Sequence, residues 1–121
     1  MKRSVSRWGV FDLETTNLNT FKRKADPFNP GNWIVMMGLC TELNLTPRGY
    51  RFMQATSRSE ARAAFINLLD STRMIVGHNI KFDILYMMQD RETREYFRAW
   101  VAAGGRIFCT QLAEYLLLGI S

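Results

Sequence analysis

Phe11-Asp12-Leu13-Glu14-Thr15 is the stretch on which the reading of this chain turns. It closes a mostly apolar run, Trp8 to Leu13, with the composition of a central strand. Residues two apart on a strand point to the same face, so Asp12 and Glu14 project together from its end. Carboxylates that close repel each other unless positive charge sits between them. Carboxylate oxygens are what Mg²⁺ and Mn²⁺ prefer, so a divalent cation is the expected occupant.

Gly77-His78-Asn79-Ile80-Lys81-Phe82-Asp83 reads as the distant partner of that stretch. Met74-Ile75-Val76 is a short apolar strand, which a right-handed crossover would place parallel to the first. The helix expected from Asn79 to about Asp90 then carries Asp83 four residues after Asn79, on the same face. From there Asp83 could reach a metal held by Asp12 and Glu14. Three carboxylates from two adjacent elements suit a two-metal phosphoryl-transfer site, where one cation activates water and the other stabilises the leaving oxygen.

The rest of the chain supplies a scaffold for these two stretches. Thr16 to Gly31 reads as an exposed loop, with a basic cluster at Lys22-Arg23-Lys24. Trp33 to Leu43 and Gly49 to Gln54 read as an antiparallel hairpin around the turn Thr46-Pro47-Arg48-Gly49. Ser57-x-x-Glu60 has the capping-box pattern that opens a helix, and Ala61, Ala64, Phe65, Leu68 and Leu69 form its core stripe. A segment from about Thr93 to Ala103 should bury Tyr96, Phe97, Trp100 and Val101 before stopping at Gly104-Gly105. Arg106 to Phe108 reads as a last strand and Thr110 to Leu118 as a helix. The pattern predicts one α/β domain with a mixed sheet flanked by helices.

Composition narrows the partners. The 121 residues are 47% hydrophobic and 22% charged, ordinary for a globular domain. No segment approaches the apolar length of a membrane span, and no signal-peptide apolar stretch comes after Met1-Lys2-Arg3-Ser4. The net charge of +5 favours an anionic partner, although a basic domain without a nucleic-acid role has the same charge. Cys40, Cys109 and the single histidine have no disulfide or zinc spacing, which points to a reducing cytosol. Cys109 itself reads as a buried, unreactive thiol.

The motifs together resemble a known family. Phe11-Asp12-Leu13-Glu14-Thr15 resembles the first exonuclease motif, D-x-E, and Asn79-x-x-x-Asp83 the second. Cys109-Thr110-Gln111-Leu112-Ala113-Glu114-Tyr115-Leu116-Leu117 is similar to the D-T-x-x-x-x-Y-x-L segment of proofreading domains in family A DNA polymerases. From about Arg7 to Leu118 the chain resembles their 3′→5′ exonuclease domain, of phage or bacterial type, in the DEDD superfamily. The resemblance implies a ribonuclease H-like fold with a mixed five-stranded sheet. It also implies two divalent cations, Mg²⁺ or Mn²⁺, with Asp12, Glu14 and Asp83 as catalytic metal ligands. Thr15 matches the position that touches the 3′-terminal nucleotide, Leu18 the apolar wedge of D-x-E-T-x-x-L in the substrate site, and Asn79 the position that supports the site and the substrate strand. The implied activity is stepwise removal of nucleoside 5′-monophosphates from a single-stranded 3′ end of DNA, in the cytosol of a bacterial or phage-infected cell.

One part of that pattern has no counterpart here. The superfamily site needs a fourth carboxylate from a third motif, Tyr-x-x-x-Asp or His-x-x-x-x-Asp, whose Tyr or His orients the attacking water. Tyr86-x-x-x-Asp90 fits literally, but one helix would hold Asp83 and Asp90 roughly 10 Å apart. Paired catalytic metals sit about 3.5–4 Å apart. Tyr115 is followed by Gly119 where an aspartate is needed. The expectation is therefore the first two thirds of such a domain, catalytically incomplete alone, with the rest of a DNA polymerase as a candidate partner. Exposed apolar surface should mark the missing part. Two alternatives stay open, a non-catalytic nucleic-acid- or polymerase-binding module and an RNA-directed exonuclease of the same superfamily.

Overall fold

A computed structural model describes residues 5–15, 34–42, 51–54 and 58–118. It is α/β with a mixed sheet, as the pattern predicts. The strands are β1 (Gly9–Thr15), β2 (Ile34–Thr41), β3 (Arg51–Gln54), β4 (Met74–Gly77) and β5 (Arg106–Cys109). The helices are α1 (Arg58–Ser71), α2 (Ile80–Met87), α3 (Arg91–Ala102) and α4 (Thr110–Leu118). The strands lie in the order β3-β2-β1-β4-β5, with β1 antiparallel to β2 and parallel to β4. β2 and β3 pair antiparallel, as expected of the hairpin, whose turn Thr46-Pro47-Arg48-Gly49 lies outside the described residues, and β5 runs parallel to β4.

Alternation along β1 decides which residues reach solvent. Phe11 and Leu13 point into the core, while Asp12 and Glu14 face outward. The run is central, as its composition suggested, but only the Gly9, Phe11 and Leu13 side is buried throughout. Against that face packs the α1 stripe of Ala61, Phe65, Leu68 and Leu69, with the Phe11 and Phe65 rings 5.1 Å apart. Ile75 of β4 and Ile80, Ile84 and Met87 of α2 complete the core.

Two helices differ from the sequence expectation. α2 is shorter, because Asn79 stands outside it in a left-handed conformation (φ 52°, ψ 47°) and the helix ends at Met87. Asn79 and Asp83 are thus not on one helical face. Asp90 belongs instead to α3, where it is the N-cap and accepts hydrogen bonds from the Thr93 N–H (3.0 Å) and hydroxyl (2.9 Å). It also pairs with Arg62 at 3.5 Å. In α3, Phe97 and Trp100 pack on the core as expected, but Tyr96 and Val101 are exposed. Tyr96 donates its hydroxyl to Asp70 at 2.7 Å, which a core position would not allow.

Gly77 lets β4 and the start of α2 lie directly on β1. A Cβ at Gly77 would meet the Phe11 carbonyl oxygen at 2.7 Å and Ile80 at 3.1 Å. Backbone on one side and a buried helix residue on the other leave little room to give. Gly77→Ala should therefore destabilise the protein by about 1–3 kcal/mol, as forced overpacking does. Urea denaturation checks this; an unchanged midpoint would mean that the turn relaxes away from β1.

Candidate functional site

The first two carboxylates are placed by strand geometry. Asp12 and Glu14 lie on the exposed face near the end of β1, opposite Gly38 and Met36 of β2. The β1–β2 ladder slips between Glu14 and Thr15, so the strand becomes irregular beside the second acid. Thr15 is half-buried.

The third acid is placed by the early end of β4. β4 pairs with β1 only at Gly9 and Val10 and then turns into α2, so that among the described residues no strand pairs with the rest of β1 on that side. Asp83 fills the place. It is 4% exposed, and its carboxylate accepts the backbone N–H of Leu13, the residue between Asp12 and Glu14. Its Oδ2 atom is buried with no hydrogen-bond partner among the described residues.

Those surroundings push the Asp83 carboxyl from 3.8 up to about 7. Burial is the largest cause, followed by the negative charge of Asp12; the Leu13 N–H opposes them and Glu14 adds to them. The structure thus brings Asp12, Glu14 and Asp83 within electrostatic reach of one another. Among the described residues they do not form a ready three-ligand metal cage. The donor chemistry nevertheless fits a hard cation: the ligands are all oxygen, the charge is negative, and one buried oxygen lacks the positive partner it needs.

The other predicted residues fall around this centre. Asn79 is exposed at the N-cap of α2 and makes no side-chain capping bond. Its positive φ is one that asparagine tolerates better than most residues. Lys81 is exposed one residue into α2. Leu18 and the Lys22-Arg23-Lys24 cluster lie outside the described residues. Tyr86 is fully buried and Asp90 is committed to its cap, so neither half of that literal Tyr-x-x-x-Asp match is free to serve the site.

Cys109 corrects an expectation. It is partly exposed, not buried, and borders a groove of about 750 Å³ with Asn79, Lys81, Phe97, Leu112 and Tyr115. The Leu112 N–H is the main cause that lowers its pKa, partly offset by desolvation and aided by the N–H groups of Ile80, Asn79 and Gln111. The sulfur thus lies where α2 and α4 both begin and leave backbone donors unpaired. The sequence signal for this was available: Cys109 stands directly before the first residue of a helix.

No family model, no curated protein and no solved structure matches this chain. Function therefore rests on the chemistry of the site.

Two outcomes test the site's electrostatics. Between about pH 4 and pH 7 the folded chain keeps the Asp83 proton that the unfolded chain has lost. The contribution of this group to stability is therefore largest below that window, falls as pH rises through it and is level above. Asp83→Asn keeps the shape without the charge. In chelator-treated buffer it should match wild type near pH 4 and become progressively more stable than wild type toward pH 7, as read by thermal unfolding. A difference independent of pH would mean that Asp83 ionises as an ordinary surface acid. For the cysteines, iodoacetamide should label Cys109 in the native protein well before Cys40, which is 7% exposed. Equal labelling by peptide mass mapping would refute the assigned environments.

Proposed function

We propose that this chain is the cation-binding part of a 3′→5′ exonuclease domain of ribonuclease H-like architecture, of the kind that proofreads for family A DNA polymerases. The observation that carries this reading is the buried, under-satisfied Asp83 set against Asp12 and Glu14 at the end of a central strand. The strand order β3-β2-β1-β4-β5, with β1 parallel to β4, supports it. So do the order of the motifs along the chain and the net charge of +5.

Asp12, Glu14 and Asp83 would hold two divalent cations, Mg²⁺ or Mn²⁺. When bound, such cations supply positive charge that offsets the charge developing on the scissile phosphate. Asp12 and Glu14 are exposed, so a phosphate can approach them directly. Asp83 is the buried anchor, and the Leu13 N–H fixes its carboxylate against the strand that carries the other two. Thr15 comes directly after Glu14 and would touch the 3′-terminal nucleotide, while Asn79, the N-cap of α2, would support the site and the substrate strand.

The substrate would be a single-stranded 3′ end of DNA, bound by stacking and backbone contacts with little sequence preference. The products would be nucleoside 5′-monophosphates. Mismatched ends melt more readily and so reach such a site more often. Hydrolysis also needs a fourth acid and a water-orienting Tyr or His, which no described residue supplies. The rest of a polymerase is the natural source, in the cytosol of a bacterial or phage-infected cell. In the described residues no helix is long and apolar enough to cross a membrane.

The test uses single-stranded DNA labelled at its 3′ end, with Mn²⁺ or with chelator, and compares wild type with Asp12→Ala/Glu14→Ala. Wild type should bind the 3′ end in a metal-dependent way, and the double mutant should lose that dependence. Label release by wild type alone would show that these acids turn over without a further group. Equal, metal-independent binding by both proteins would overturn the reading and leave a basic surface as the sole basis of binding.

A further inference from the structure

The turn that delivers Asp83 is tied to the corner between β5 and α4. Gly77, the last residue of β4, pairs in register with Cys109, the last residue of β5. Thr110 comes next and opens α4. Its hydroxyl lies 3.4 Å from the Gly77 carbonyl oxygen and 3.1 Å from Nδ1 of His78. A hydroxyl has one proton to give and lone pairs to receive. If that proton goes to the Gly77 carbonyl, its oxygen receives the Nδ1–H of His78. One side chain then holds two consecutive residues of the turn.

The residues on either side of this turn make the hold consequential. Gly77 lies against the Phe11 carbonyl, directly before Asp12, and Asn79 then reverses the chain through its left-handed conformation. Asp83 sits one helical turn further, with its carboxylate on the Leu13 N–H. No side chain caps the start of α2 from Asn79. The β4–α2 turn is held from outside, by the Thr110 hydroxyl on Gly77 and His78 and by the Cys109 sulfur on the N–H groups of Asn79 and Ile80.

We propose that Thr110 is a positioning residue for Asp83. It acts through Gly77 and His78 to set the register of α2 against the end of β1. This rests on the exonuclease reading only for what the positioned carboxylate does. The placement itself is a property of the fold.

Two measurements on the whole chain separate these. Thr110→Val keeps the shape and removes the hydroxyl, and Thr110→Ser restores it. In Mn²⁺ titration, Thr110→Val should weaken binding about tenfold, as loss of an outer-shell contact does, and Thr110→Ser should recover it. In hydrogen exchange without metal, amides from Asn79 to Asp83 should exchange about tenfold faster in Thr110→Val. Those of α1 should be unchanged, and Thr110→Ser should again behave as wild type. If wild type itself fails to bind Mn²⁺, the exonuclease reading falls and the exchange measurement alone decides the clamp. Exchange at Asn79–Asp83 that is unaffected by Thr110→Val would overturn the proposal. So would acceleration spread evenly over the core, or failure of Thr110→Ser to restore protection.

Discussion

The burial of one carboxylate at the end of β1 is the constraint around which the described structure is arranged. An aspartate that is 4% exposed, next to two other acids and with an oxygen left unpaired, works against folding. It is tolerated because the surrounding backbone is over-determined. Gly77 admits close contact with Phe11, and the early end of β4 frees the Leu13 N–H. The apolar cluster of Phe11, Phe65, Leu69, Ile80 and Ile84 locks α2 in place. Local cost of this kind, held in a well-packed frame, is what motivates the functional proposal for Asp83.

The frame is not equally complete on all sides. β1, β2, α1 and α2 share a closed core, whereas β5 and α4 are poorly covered. Ile107 and Phe108 are adjacent in β5, point to opposite faces of the sheet and are both exposed. A parallel strand is ordinarily covered on both faces. In α4, Leu112, Leu116, Leu117 and Leu118 are more than half exposed. The apolar surface expected from the sequence is therefore present, and it lies on the elements C-terminal to α3. The corner that opens α4 nonetheless reaches back to Gly77 and His78, so this less covered part of the domain bears on the acid site.

Cys109 shows how one position can be read two ways. From sequence it stands where the resembled family carries an aspartate, and an apolar strand end suggested burial. In the structure its sulfur receives backbone N–H groups from the starts of both α2 and α4. A thiol there takes the place of a helix-capping oxygen, which is the physical reason its acidity rises.

The sequence by itself determined the elements and the sidedness of the acids. Alternation in Phe11-Asp12-Leu13-Glu14 settles that both carboxylates share a face, because that depends only on strand geometry. The α1 stripe, the hairpin and the parallel β4 were legible for the same reason, since periodicity and short apolar runs are local signals. Where α2 begins and which residues of α3 reach the core were not legible, since Asn79 in a left-handed turn and Tyr96 on Asp70 depend on what packs alongside. The Asp90 cap is a local contact with Thr93, a signal present in the sequence but read there as the end of the preceding helix. Only the tertiary structure decided that Asp83 is buried with a raised pKa and that Thr110 reaches its turn. The first arises because β4 stops short of the end of β1, the second because β4 and β5 end at the same level of the sheet, and no local pattern records either.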